Sequence, residues 1–143
     1  TGGEPLSQKR VIGLLRKLCD AGYVVSLETS GAIDIADVDT RVSRIVDIKT
    51  PGSNEVARNL WSNLAQLTPH DQVKFVICSR ADFDWACEVL AEHKLHERCD
   101  VLFSPSHAQV SPRELADWIV EARLPVRFQM QLHKALWGEE PGR

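Results

Sequence analysis

The chain has 143 residues, with 17 Lys and Arg against 20 Asp and Glu and a formal charge of −3 at pH 7, a size that suits one domain with its own core and a charge pattern without the basic block of nucleic-acid binders. No apolar run approaches the roughly 20 residues needed to cross a bilayer, and no charged-then-apolar leader opens the chain, so the expectation is a soluble, cytoplasmic protein with neither nucleic acid nor membrane as partner. Cys19, Cys78, Cys87 and Cys99 are spread widely with no C-x-x-C pair, which suggests neither a disulfide framework nor a zinc ribbon.

Thr1-Gly2-Gly3-Glu4-Pro5 forms an opening turn, and a start at Thr1 inside a Gly-Gly turn reads as a fragment or a processed chain. Val11, Leu14, Leu15 and Leu18 then recur at helical spacing, predicting an amphipathic helix that ends at Gly22. Residues 23–29 read as a strand leaving into Glu28-Thr29-Ser30-Gly31, and residues 32–40 as an irregular connection. The second strand, residues 44–49, alternates and is rich in β-branched side chains. It delivers Lys49 to a Pro51-Gly52 break, and Ser53-Asn54-Glu55 reads as the cap of a helix carrying Val56, Leu60, Leu64 and Leu67 on one face as far as Thr68-Pro69.

Residues 72–78 predict a third strand, followed by a helix capped by Ser79 with Phe83, Cys87 and Leu90 inward. Residues 101–103 make a short apolar strand with Ser104, Pro105, Ser106 and His107 at its exit. Ser111-Pro112-Arg113-Glu114 is a capping box for a helix burying Leu115, Trp118, Ile119 and Ala122, and residues 126–132 predict a last strand that ends in His133 and Lys134. Strands alternating with helices in this way imply an α/β fold with a mostly parallel sheet and right-handed crossovers. The polar residues at strand exits then converge on the carboxyl edge of a partial or modified (β/α) barrel, where ligands bind.

Each motif has an ordinary reading beside its functional one. Gly2-Gly3-Glu4 is either a tight turn or a place where backbone approaches a ligand while Glu4 accepts from an ammonium group. Lys49 is either a snorkelling lysine or the partner of a ligand carboxylate. Glu28-Thr29-Ser30-Gly31 is a Ser-type turn or a rim of the site. His93, His96 and Cys99 are better read as the solvated end of a helix than as a metal cluster. The tryptophans read as packing, with Trp137 held open beside His133.

Taken together, Thr1-Gly2-Gly3-Glu4-Pro5, Glu28-Thr29-Ser30-Gly31, Asp47-Ile48-Lys49-Thr50-Pro51-Gly52-Ser53 and Gln131-Leu132-His133-Lys134 with Trp137 resemble the 7-carboxy-7-deazaguanine synthases of the radical S-adenosylmethionine superfamily. The resemblance covers essentially the whole chain. It implies a homodimer of modified barrels that binds S-adenosylmethionine, a [4Fe-4S] cluster and Mg2+, takes electrons from a donor such as flavodoxin, and converts 6-carboxy-5,6,7,8-tetrahydropterin to 7-carboxy-7-deazaguanine with loss of ammonia, for queuosine and other 7-deazapurines. In this radical lyase chemistry a 5′-deoxyadenosyl radical abstracts hydrogen from the pterin before ring contraction and elimination. By the same resemblance Gly2, Gly3 and Glu4 would hold the cofactor's ammonium, Ser30 would lie near it, and Lys49 would pair its carboxylate. Thr1, Glu28 and His133 would face the pterin. The superfamily's C-x-x-x-C-x-x-C cluster motif is not formed by any of these cysteines and, with the Mg2+ ligand, is expected upstream of Thr1. Two readings therefore stand: the carboxyl-terminal part of a synthase, or a cluster-free module that binds S-adenosylmethionine or a pterin.

Overall fold

A computed structural model of the chain describes residues 3–130 together with Leu136 and Gly138. Five parallel strands form one sheet in the order β1-β2-β3-β4-β5: β1 (Ser26–Thr29), β2 (Ser43–Ile48), β3 (Gln72–Ile77), β4 (Asp100–Pro105) and β5 (Arg127–Phe128). Spatial order equals chain order, so every crossover steps the same way. With crossovers of one hand, the connecting segments fall on one side of the sheet, as in a barrel wall rather than a doubly wound sheet.

Burial follows that winding. Along β2 and β3 alternate residues are buried, and Val46, Ile48, Val73, Phe75 and Ile77 on the helix side are at most 1% exposed. Helices α1 (Val11–Asp20), α2 (Arg80–Glu92) and α3 (Pro112–Glu121) supply the facing layer. Phe103 packs edge-on against Phe75 at 5.4 Å and against Phe83 at 5.9 Å, the perpendicular arrangement ring quadrupoles favour. The opposite face carries Glu28, Ile45, Asp47 and Lys74 and is only half covered over β1, β2 and β3.

Two pinned ends set the geometry. Ser79 and Ser111 each accept the backbone N–H three residues on, capping α2 and α3 as the capping patterns predict. At the amino-terminal edge of the sheet the Arg44 guanidinium, 4% exposed, pairs with Asp71, 1% exposed. Asp71 also accepts from the Arg44 and Thr68 amides, so each buried charge is hydrogen-bonded as well as paired.

The largest departure from the sequence expectation lies between Ser53 and Leu67. The predicted α-helix is instead three short 3-10 turns, Pro51–Ser53, Val56–Arg58 and Trp61–Gln66. Asn54 adopts φ 58°, outside helix geometry, while the Asn59 and Asn63 side chains bond the backbone of other segments. Polar side chains thus outcompeted the helical ladder. Leu64 and Leu67 are still buried, so the periodicity marked the inward face without marking a helix.

Smaller corrections concern element ends. The first strand begins at Ser26, and Tyr23 and Val24 stand 67% and 98% exposed before it. Among the described residues β5 is only Arg127–Phe128, where a strand over 126–132 was predicted. Beyond Leu102, Phe103 and the Gln129 N–H, the described chain shows no further backbone partners there. Leu14 is 54% exposed rather than buried, and Ala122 is exposed as the cap of α3; Cys87 is half-buried on α2, where Ala86 and Val89 take the inward places.

Candidate functional site

At the carboxyl edge, Gly3, Glu28, Thr29, Ser30, Ile45, Asp47, Lys49 and Lys74 line one cleft of ≈ 180 Å³. It gathers Gly3, Glu28, Ser30 and Lys49 from the residues singled out in the sequence, with Glu4 bonded to its rim. Thr1, Gly2 and His133 lie outside the described residues.

The opening turn is fixed by its glutamate. Gly3 sits at φ 87°, a conformation glycine adopts without strain, and the Glu4 carboxylate next to it accepts from the Leu6 N–H at 3.0 Å, the Thr29 hydroxyl at 3.0 Å and the Ser30 N–H at 2.6 Å. Partial burial pushes the Glu4 carboxyl up, but the hydrogen bonds from Ser30, Leu6 and Thr29 outweigh it and hold the group below its usual value. Glu4 is therefore an anion at neutral pH, and it staples the opening turn to the exit of β1. Gly31 follows at φ 73°, and a Cβ there would press on the Asp47 carbonyl at 3.1 Å, so the loop after β1 can lie against β2 only as glycine.

Strand β2 delivers the charges. Asp47 and Lys49 are two residues apart on the same face, and Lys49 Nζ donates to Asp47 Oδ2 at 2.6 Å, with the side chains 31% and 25% exposed for Lys49 and Asp47. The Lys49 backbone is clamped by one side chain, Asn59, which accepts from its N–H and donates to its carbonyl, both at 2.9 Å. Thr50 donates to the Val76 carbonyl at 3.0 Å and so ties the end of β2 to β3. Asp47 Oδ1 is sealed from solvent and has no hydrogen-bond partner among the described residues, an unmet acceptor of a kind rare among buried polar atoms.

Lys74 was not singled out from the sequence, and Asp47 was quoted only within the Asp47–Ser53 motif, without a role in the site. The signal was present in the alternation of β2 and β3, whose other face is wholly apolar apart from Arg44, but the register that makes Asp47 and Lys74 neighbours is a property of the sheet. Other polar strand exits fall elsewhere. Arg80 pairs with Asp84 and lies over the Phe83 and Trp118 rings, and Ser106 donates to Gln109. His93 stacks on Trp61 at 5.4 Å, in keeping with its reading as a helix-end residue.

Metal chemistry finds no home among these side chains. Among the described residues no group of three or more His, Cys, Asp or Glu could hold a metal ion. Burial raises the thiols of Cys78 and Cys87, and that of Cys99 to about 11, whereas cluster ligands are thiolates. No helix among the described residues is long and apolar enough to cross a membrane.

No protein-family model matches this sequence. Among curated proteins, the chain is 44% identical over 143 residues to the 7-carboxy-7-deazaguanine synthase of Chlorobaculum tepidum, covering 98% of this chain and 65% of that protein. It is 42% identical over 154 residues to the synthase of Koribacter versatilis, covering 98% and 68%, and 38% identical over 136 residues to that of Methanospirillum hungatei, covering 94% and 56%. The chain thus spans about two thirds of the length of the first two relatives.

Proposed function

The chain belongs to the 7-carboxy-7-deazaguanine synthase family, and from that premise we propose that it forms the carboxyl-terminal part of a cytoplasmic radical S-adenosylmethionine lyase acting on 6-carboxy-5,6,7,8-tetrahydropterin in 7-deazapurine synthesis. The observation that supports the site assignment is the cleft itself, whose lining includes the Lys49 cation and, at Thr29 and Ser30, the residues to which the Glu4 anion is hydrogen-bonded. The methionine end of S-adenosylmethionine is a zwitterion and fits that donor and acceptor set. Its ammonium goes to Glu4 with Gly2 and Gly3, and its carboxylate to Lys49 beside Ser30.

When bound, S-adenosylmethionine supplies the hydrogen abstraction that starts ring contraction and ammonia loss. The residues of this chain do the holding: Glu4, kept ionised by its hydrogen bonds, fixes the amine, and Lys49, its backbone clamped by Asn59, fixes the acid. Glu28, with Thr1 and His133, faces the pterin. The described residues do not fit the [4Fe-4S] cluster or Mg2+, so their ligands come from outside these residues and no step is derived through them. An electron donor such as flavodoxin and a homodimeric assembly complete the proposal.

Titration of the intact, anaerobically purified protein with S-adenosylmethionine tests the assignment. Removing a charged hydrogen-bonding partner costs about 1.5–3 kcal/mol, so Lys49→Ala is expected to weaken binding about 10- to 100-fold; unchanged affinity would reject the role given to Lys49. One second reading is a cluster-free binding module, since Cys19, Cys78, Cys87 and Cys99 are not spaced as C-x-x-x-C-x-x-C. Iron and sulfide in the intact protein, with turnover of the pterin, decide for the lyase; tight ligand binding without iron decides for the module.

A further inference from the structure

We infer that the groove along the outer face of α1 is the docking surface for an acidic electron-carrier protein. This rests on the functional reading above, which calls for a donor, and adds the surface that receives it. Between Pro5 and Cys19 the chain has four basic residues and no acid, although the whole chain carries −3. Folding sorts that segment into two faces. Val11, Ile12, Leu15 and Leu18 pack on the core, while Arg10, Leu14 and Lys17, at helical spacing, join Pro5, Lys9 and the edge of Val11 around an open groove of ≈ 670 Å³. Leu14, whose spacing predicted burial, is 54% exposed there. Arg16, the fourth cation, lies toward Asp39, but the side chains of Lys9, Arg10 and Lys17 form no ion pair or hydrogen bond with any described residue.

Those features fix the partner's chemistry. Unpaired cations around an apolar strip suit an acidic surface with an apolar centre, and opposite potentials of this kind steer encounter. Gly13 lies on the same face, and a Cβ there would meet no other segment of the described chain within 4 Å. Glycine weakens a helix interior. Nothing within the described chain needs that space, so the bare backbone serves a second surface that comes close to the helix. A membrane is the poorer fit, since interfacial helices insert a protruding apolar face, whereas these apolar side chains line a groove. Location argues for a carrier of electrons. The groove begins at Pro5, directly after Glu4, whose carboxylate fastens the opening turn to Ser30, so a protein seated here stands beside the proposed cofactor site.

The test is biolayer interferometry of the intact, anaerobically purified protein with oxidised flavodoxin as the acidic probe. Binding is expected to weaken as salt is raised, since exposed charges are screened beyond about 8 Å at physiological ionic strength. Lys9→Glu combined with Lys17→Glu should weaken it at least about 10-fold, as loss of charged contacts does, and Leu14→Asp by a similar factor. Arg113→Glu on α3, a charge reversal at an exposed site outside the groove, should change it less than about two-fold. Unchanged S-adenosylmethionine affinity in every variant shows that each is folded. Equal weakening by Arg113→Glu, or none in the groove variants, would overturn the assignment. So would loss of self-association in the groove variants, which gives the face to a second copy, or binding of phosphatidylserine vesicles in place of flavodoxin. A protein that holds iron and turns over the pterin with dithionite, yet binds no flavodoxin, keeps the functional reading and loses this inference; one with neither iron nor turnover loses both.

Discussion

A Cβ on Gly52 would run into the Asp82 carboxylate and come within 2.9 Å of the Cys78 Cβ. The reason for that closeness is that Asp82, 1% exposed, accepts from the Gly52 N–H at 2.8 Å and the Cys78 N–H at 3.0 Å, so one carboxylate fastens the exits of β2 and β3 to the first turn of α2. Gly52→Ala is expected to destabilise the fold by about 1–3 kcal/mol, the usual cost of overpacking a closed contact, and a urea midpoint that does not move would contradict it. In the sequence, Gly52 was visible as a strand breaker and Asp82 only as an acid three residues after the Ser79 cap. Their contact was not, because it joins residues thirty positions apart. The same limit separates Lys49, legible as a cation at a strand exit, from Lys74, whose meaning depends on the neighbour that the sheet gives it.

The segment from Thr50 to Leu67 gives the clearest case of an element misjudged for a stated reason. Its apolar spacing is helical, yet Asn63, fully buried, donates to the Ile33 carbonyl and accepts from the Ile35 N–H, and Asn59 does likewise for Lys49. Both asparagines act as backbone surrogates for segments that have no ladder of their own. The strands and the capped helices were readable because their signals are local, whereas an asparagine's partner is not written beside it. Asn59→Ala leaves the Lys49 N–H and C=O without their partner, at about 1–3 kcal/mol for each group left unmet. It is expected to lower both stability and S-adenosylmethionine affinity, while a surface change such as Arg58→Ala lowers neither. Calorimetric titration of the two variants checks this, and wild-type affinity in Asn59→Ala would show that the clamp does not position Lys49.

Across the whole molecule, the cleft at one edge of the sheet is balanced by the Arg44–Asp71 pair at the other. Burial pushes the Asp71 carboxyl up, but the Arg44 guanidinium and the Arg44 and Thr68 amides outweigh it and set it below the usual value. A carboxyl depressed by folding stabilises the fold above its unfolded value, near 3.9, and loses that contribution as pH falls through the lower folded value. Urea stability is therefore expected to hold near neutrality and to fall on acidification below about pH 4. Asp71→Asn should flatten that acid limb and cost about 3–5 kcal/mol at pH 7, since it leaves a buried guanidinium uncompensated; an unchanged acid limb would assign it to other carboxyls. The parallel, singly wound order was legible from the alternation of elements, while the half-covered face was not, because coverage belongs to the assembled sheet. That order, β1-β2-β3-β4-β5, also bears on biogenesis. Each of β2 to β5, as it emerges from the ribosome, pairs with the strand synthesised just before it and waits for nothing still to be translated, so the sheet can grow at the pace of translation.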